Sequence, residues 1–371
     1  MSHESRPSLP RRLRTEAGLV VATGTALLFL EFGDAWLSDV GPDLRTTAIF
    51  AWVFGVMLWA SFGVVRHAEG LATRLGEPYG TLILTISVTT IEVSLISAVM
   101  LTGQDSPTLG RDMMFSVLMI VLNGMVGLSL LLGGYRHVEQ SFNLQSANTF
   151  LAVIVPLAVL SLVLPNYTRS TPDPSFTIPQ SEFLIVVALG LYAVFLGMQT
   201  IRHRGYFTTP RQGGEIHGTA SGRSGGFHAV LLIAYMVPIV LLSKKLAVII
   251  DFGVAEIGAP VALGGVLVAV LVLAPEAITA LRAALSNELQ RSINISLGSA
   301  LATIGLTVPA ILVIGIVTGN KIVLGLDPVE TLMLFLTLFV SYINLSGGRS
   351  NILQGVIHLI LFAAYIVLLF D

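Results

Sequence analysis

Cysteine is absent from the 371 residues, which removes disulfides, thiolate metal sites, iron–sulfur clusters and thiol nucleophiles from consideration. Charge is scarce as well. Asp, Glu, Lys and Arg make up 11% of the chain and nearly balance at a net −2, so neither nucleic acid nor a polyanion is indicated as a partner. Catalytic signatures are missing: there is no Walker A loop, no HExxH, no GxGxxG after a strand, and no spacing that suggests a Ser-His-Asp set. The chain is therefore not expected to be an enzyme, and no resident cofactor is expected.

Apolar sequence is what the chain has in abundance. Hydrophobic residues are 54% of the total and the mean hydropathy is +0.84, values that belong to a polytopic membrane protein rather than to soluble domains. Windows of roughly 20 apolar residues predict about eleven transmembrane helices, at 17–36, 46–65, 78–101, 112–133, 149–165, 182–201, 229–250, 259–281, 292–317, 329–345 and 350–370. Arg11, Arg12 and Arg14 before the first run resemble a secretory signal. The run continues to Trp36 and many spans follow, so the expectation is a retained anchor.

The connections are short apart from 202–228, whose Gly, Ser, Thr and Arg content reads as a flexible cytoplasmic linker. With the N-terminus inside, alternate loops carry 14 of the 20 basic residues on the inner side and 6 on the outer. That bias predicts a cytoplasmic N-terminus and, with eleven spans, an external C-terminus. Setting the first helix aside leaves five helices on each side of the linker. Odd-numbered halves must insert in opposite senses, which is the arithmetic of inverted-topology repeats. The expected organisation is a tail and first helix (1–40), a first five-helix repeat (41–201), the linker (202–228) and a second five-helix repeat (229–371).

Two acids stand well inside spans, Glu92 and Glu276, each twelve residues after a glycine, Gly80 and Gly264, in the second helix of its half. An ionisable group at that depth is costly unless paired, hydrated or neutralised, so it marks a functional site. Thr89, three residues before Glu92, shares its helical face, and Thr90 follows it. Hydroxyls beside a carboxylate make an oxygen-only site that suits Ca2+, Na+ or a proton. Pro275 removes a backbone donor just before Glu276 and is expected to free carbonyls for coordination. The next helix of each half carries polar residues inward: Ser116 and Asn123 in one, Ser296, Ser299 and Thr303 in the other. Glu31 reads as interfacial, beside Asp34 and Trp36. Asp112 reads as a helix N-terminal acid. The seven histidines fall mostly in loops, and His358 alone is expected to lie buried in a span.

The runs GEPYGTLILTISVTTIEVSLISA from Gly76 and APEAITALRAALSNELQRSINISLGSALATIGLTVP from Ala274 resemble the cation/proton exchanger branch of the calcium:cation antiporter superfamily, the bacterial calcium/sodium (potassium) to proton type most of all. The resemblance covers nearly the whole chain. It implies an all-α protein of the bacterial inner membrane with one N-terminal helix outside two inverted five-helix repeats. It further implies a glutamate from each repeat, here Glu92 and Glu276, that binds cation and proton alternately. The wider family closes a Gly-Asn-x-x-Glu motif at each acid; here Val88 and Thr89, and Val272 and Leu273, stand before them. An acidic segment found between the halves in many relatives has no counterpart in 202–228, where Glu215 is the one acid. The residues leave a cation channel, with the same acids lining a pore, as the alternative to exchange of Ca2+, Na+ or K+ for H+. An intramembrane enzyme or a purely structural protein accounts less well for two deep glutamates.

Overall fold

The computed structural model describes residues 16–75, 79–101, 107–208, 224–256, 258–260 and 262–370. The N-terminal tail, most of the expected linker, and residues 76–78 at the start of the first quoted run lie outside the described residues. Among the described residues the chain is all-helical, save for one two-stranded ribbon. Its helices are α1 (Ala17–Trp36), α2 (Leu44–Leu75), α3 (Tyr79–Leu101), α4 (Leu109–His137), α5 (Leu144–Tyr167) and α6 (Ile178–Arg202). After a single turn, α7 (Arg204–Phe207), come α8 (Gly225–Glu256), α9 (Ala262–Leu285), α10 (Leu289–Thr318), α11 (Pro328–Leu345) and α12 (Ile352–Leu368). Among the described residues nine helices are long and apolar enough to cross a membrane, and two shorter apolar ones, Thr85–Ser97 and Ile352–Leu368, accompany them.

Local chemistry sets several helix ends. Capping boxes pair Thr177 with Gln180, Asp327 with Glu330 and Asn351 with Gln354, each satisfying amide donors that a helix start leaves free. Asn143 caps α5 through the amides of Gln145 and Ser146. Between these helices, Gln140–Ser141 pairs antiparallel with Arg349–Ser350, so the α4–α5 connection is stitched to the α11–α12 connection.

Two expected boundaries move. α2 runs on to Leu75 and α8 begins at Gly225, each longer than an apolar window suggests. Their extra turns are polar on one face and lie against each other. The linker is also shorter than expected: the α7 turn buries Phe207 against Phe150 and Phe195, and Asn294 donates to its carbonyl at 2.7 Å.

The core is centred on α4 and α10, both nearly all buried along their inner turns. Each contains a π-helical turn, Ile120–Met125 in α4 and Thr303–Thr307 in α10. Such one-residue widenings re-aim side chains and recur at functional sites. They cross where Ser292 donates to Ser129 at 2.8 Å.

Candidate cation site

Glu92 on α3 and Glu276 on α9 are both buried, 3% and 1% exposed. Neither has an ion-pair partner among the described residues. A third helix joins them. Ser299 of α10 donates to Glu276 Oε2 at 2.8 Å, and Thr303, one turn later on the same face, donates to Glu92 Oε2 at 3.0 Å. Serial hydroxyls on one helix thus hold two carboxylates contributed by two others, and α3, α9 and α10 pack mutually to do so.

The cluster is under-satisfied. Glu92 Oε1, Ser296 Oγ and Thr307 Oγ1 are buried without a hydrogen-bond partner. Buried polar atoms are nearly always paired, so each orphan needs a reason. Oxygen atoms left open beside two carboxylates have the chemistry that suits a hard cation. Thr307 was not singled out by sequence reasoning. It lies one turn beyond Thr303, within the π turn that brings this part of α10 against α3.

The expected supporting residues divide. Ser299 and Thr303 bond the two acids. Thr89 is buried on α3, 6% exposed, with no hydrogen bond to either acid. Thr90 is exposed and donates its hydroxyl to the Ile86 carbonyl at 2.7 Å, because residues one apart on a helix point about 100° apart. Asn123 turns to other partners. It is fully buried in the α4 π turn, but its amide donates to Thr337 of α11 at 2.8 Å and its carbonyl faces His358 of α12 at 3.3 Å. Pro275 adjoins Glu276, yet α9 continues unbroken through it, and its own carbonyl accepts from Thr279 at 3.0 Å. The backbone at Pro275 thus loses one helical bond rather than a turn.

The histidine expectation is corrected too. His358 is fully buried, but His67 and His228 are buried as well, at 1% and 6% exposed. Extending α2 and α8 places both within helices. Glu31 lies on the exposed face of α1. Asp112 pairs with Arg111 at 2.7 Å near the start of α4, and Arg111 also reaches Asp327 and Glu330 of α11 at 3.7 and 4.0 Å.

A small cleft lies between α3, α5, α6 and α10, lined by Leu82, Thr85, Phe150, Tyr192, Gln199 and Gly298. Gly298 is the neighbour of Ser299.

Two buried carboxylates in an all-helical bundle, each accepting from a hydroxyl of α10 with oxygen atoms left open nearby, fit an ion-translocating membrane protein. The chain belongs to the sodium/calcium exchanger protein family, whose pattern it matches over residues 45–201 and 227–370. It is 42% identical over 334 residues to the putative ionic transporter y4hA of Sinorhizobium fredii, covering 90% of this chain and 91% of that one. It is 41% identical over 319 residues to the sodium-potassium/proton antiporter ChaA of Escherichia coli, covering 85% and 86%. Among solved structures, native YfkE superposes with a TM-score of 0.72 at 16% identity, over 95% of this chain and 99% of that one. The H+/Ca2+ exchanger CAX superposes with a TM-score of 0.70 at 14% identity, over 95% and 88%. Those two likenesses concern the fold.

Proposed function

We propose that this protein is a secondary antiporter of the bacterial inner membrane that expels a cytosolic cation, Ca2+, Na+ or K+, in exchange for protons through a shared site made of Glu92 and Glu276. The observation that carries the reading is the bridge from α10: Ser299 and Thr303 tie the two carboxylates together while Glu92 Oε1, Ser296 Oγ and Thr307 Oγ1 stay unpaired. A carboxyl that holds a proton cannot offer the negative charge a cation requires, so the two ligands exclude one another. Exchange follows when the site opens to one side at a time. A relative at 41% identity named for sodium-potassium/proton exchange supports protons as the counter-ion and monovalent cations among the substrates.

In this reading eleven helices cross the membrane, α1 lies outside two five-helix repeats of opposite orientation, and the linker faces the cytosol with the N-terminus. The two separate stretches of family match, 45–201 and 227–370, support that division. The cleft at Gly298 is the cytosolic approach, since it opens between the start of α3 and the end of α6.

Everted vesicles energised to an acidic interior provide the test. Addition of Ca2+, Na+ or K+ releases protons with the native chain, and Glu92→Gln or Glu276→Gln abolishes release while expression persists. Near-normal proton release in both variants removes the shared site. Cation flux without any proton gradient makes the protein a channel instead.

A further inference from the structure

The linker-side ends of α1, α2 and α8 meet in a titratable cluster far from the two glutamates in the chain. His67 of α2 and His228 of α8 face each other Nδ1 to Nδ1 at 3.1 Å. On its other side, His67 Nε2 lies 3.2 Å from Glu16 Oε2, at the start of α1. Arg66 and Tyr235 bond the same carboxylate oxygen at 2.5 and 3.1 Å. Arg66 also donates to the Tyr235 hydroxyl at 3.2 Å.

Proton placement follows from these contacts. Arg66 Nη2 also lies 3.4 Å from His67 Nε2, but the carboxylate oxygen is nearer at 3.2 Å and calls for a proton on that nitrogen, so in the neutral pair His67 Nδ1 accepts and His228 Nδ1–H donates. One added proton is accommodated, because one nitrogen of the facing pair can still accept. A second is not: both Nδ1 atoms then carry hydrogens aimed at each other within a buried contact. Glu16 does not absorb both charges, and its surroundings keep it ionised. Burial pushes its carboxyl up, but Arg66, His67 and Tyr235 outweigh that and hold it below the ordinary carboxylate value.

Among the described residues, the other charged or titratable groups around the pair are Arg66, Glu69 and Arg74 on α2, Tyr235 on α8, and Arg291 of α10, which reaches Glu69 at 3.7 Å. The rings cannot turn aside. A Cβ at Gly70 would sit 2.4 Å from the His228 ring, and one at Gly63 would sit 2.3 Å from the Tyr235 ring. Both rings of α8 are seated on the bare backbone of α2, so parting the imidazoles parts the helices.

We propose that His67 and His228 form a second proton-binding site, a sensor on the linker side that clamps α2 to α8 while the pair holds at most one extra proton and releases them when both rings are protonated. The consequence reaches Glu92, because α2 and α8 both pack against α3. Acid on the linker side thereby alters exchange without occupying the transport site.

The cysteine-free chain permits a direct test. Nitroxide labels on Thr73→Cys and Gly226→Cys, both exposed, report the separation of the two helix ends by electron spin resonance. In the otherwise native chain the distance is expected to lengthen as pH falls from about 7.5 to about 4.5, below the ordinary histidine value of about 6.5, because the second proton on a buried facing pair is disfavoured. With His67→Gln or His228→Gln added, the distance should no longer depend on pH. Gly70→Ala, which leaves both imidazoles in place but displaces His228, should give the long distance at both pH values. In vesicles with a controlled linker-side pH, the histidine variants should shift the acid midpoint of exchange by at least about half a unit. Their half-saturating cation concentration should stay within about two-fold, a separation that a merely structural role would not produce. An unchanged distance on acidification of the native chain overturns the proposal, and so does an equal lengthening in both histidine variants.

Discussion

The π turns of α4 and α10 sit in helices that follow the two acid-bearing helices, yet they serve different neighbours. In α10 the turn begins at Thr303, and the hydroxyls just before and at its start go to Glu276 and Glu92. In α4 the turn holds Asn123, whose side chain is taken by Thr337 and His358. One helix therefore supplies the hydroxyls for both carboxylates, while its counterpart knits α4 to α11 and α12. Two helices that each follow an acid-bearing helix need not serve the acids alike, because a side chain's direction depends on the packing of the helix that carries it.

Four experiments break or sharpen that contrast. The largest effect is expected from Ser299→Ala combined with Thr303→Val, which removes both bridging donors. Hydrogen bonds to charged groups are worth about 1.5–3 kcal/mol each, so half-saturating cation concentration should rise by more than about ten-fold. A change below about two-fold would remove α10 from the site. Asn123→Ala should act on stability instead, costing about 1–3 kcal/mol by stranding Thr337 and His358. A lowered unfolding temperature in detergent with near-native cation affinity checks it, and the reverse pattern would return Asn123 to the site. Thr89→Val should weaken cation affinity by a few-fold, whereas Thr90→Val should leave it unchanged, since Thr90 faces outward; equal effects would contradict that difference in orientation.

The smallest effect concerns pH and the Glu16 anchor. A carboxyl held below its unfolded value contributes stability that is present above about pH 4.5, the ordinary value for this group, and is lost as pH falls through the lower folded value. Glu16→Gln should thus lower the unfolding temperature at neutral pH. The gap from the native chain should close in acid below the folded value. A gap constant across pH would show that Glu16 acts by packing alone.

Much of this was legible in the linear chain. Long apolar windows fix membrane helices because every backbone amide in the bilayer must be satisfied within its own segment. Glu92 and Glu276 stood out because a charge in such a window is expensive. The spacing of Ser299 and Thr303 was legible for the same periodic reason. What the windows missed were the polar ends of α2 and α8, because a hydropathy window stops where charge begins even when the helix continues. His67 and His228 were lost with those ends, although each is buried once its helix is extended.

The sequence by itself determined which segments enter the membrane, where the two acids fall along them, and which residues share a helical face, since those properties depend on neighbours within a few turns. Tertiary structure decided which faces meet. It turned Thr90 outward, sent Asn123 toward His358, brought Thr303 of one half onto Glu92 of the other, and seated His228 on Gly70. Each is a contact between residues far apart in the chain, and such contacts are settled by how whole helices pack rather than by any local preference.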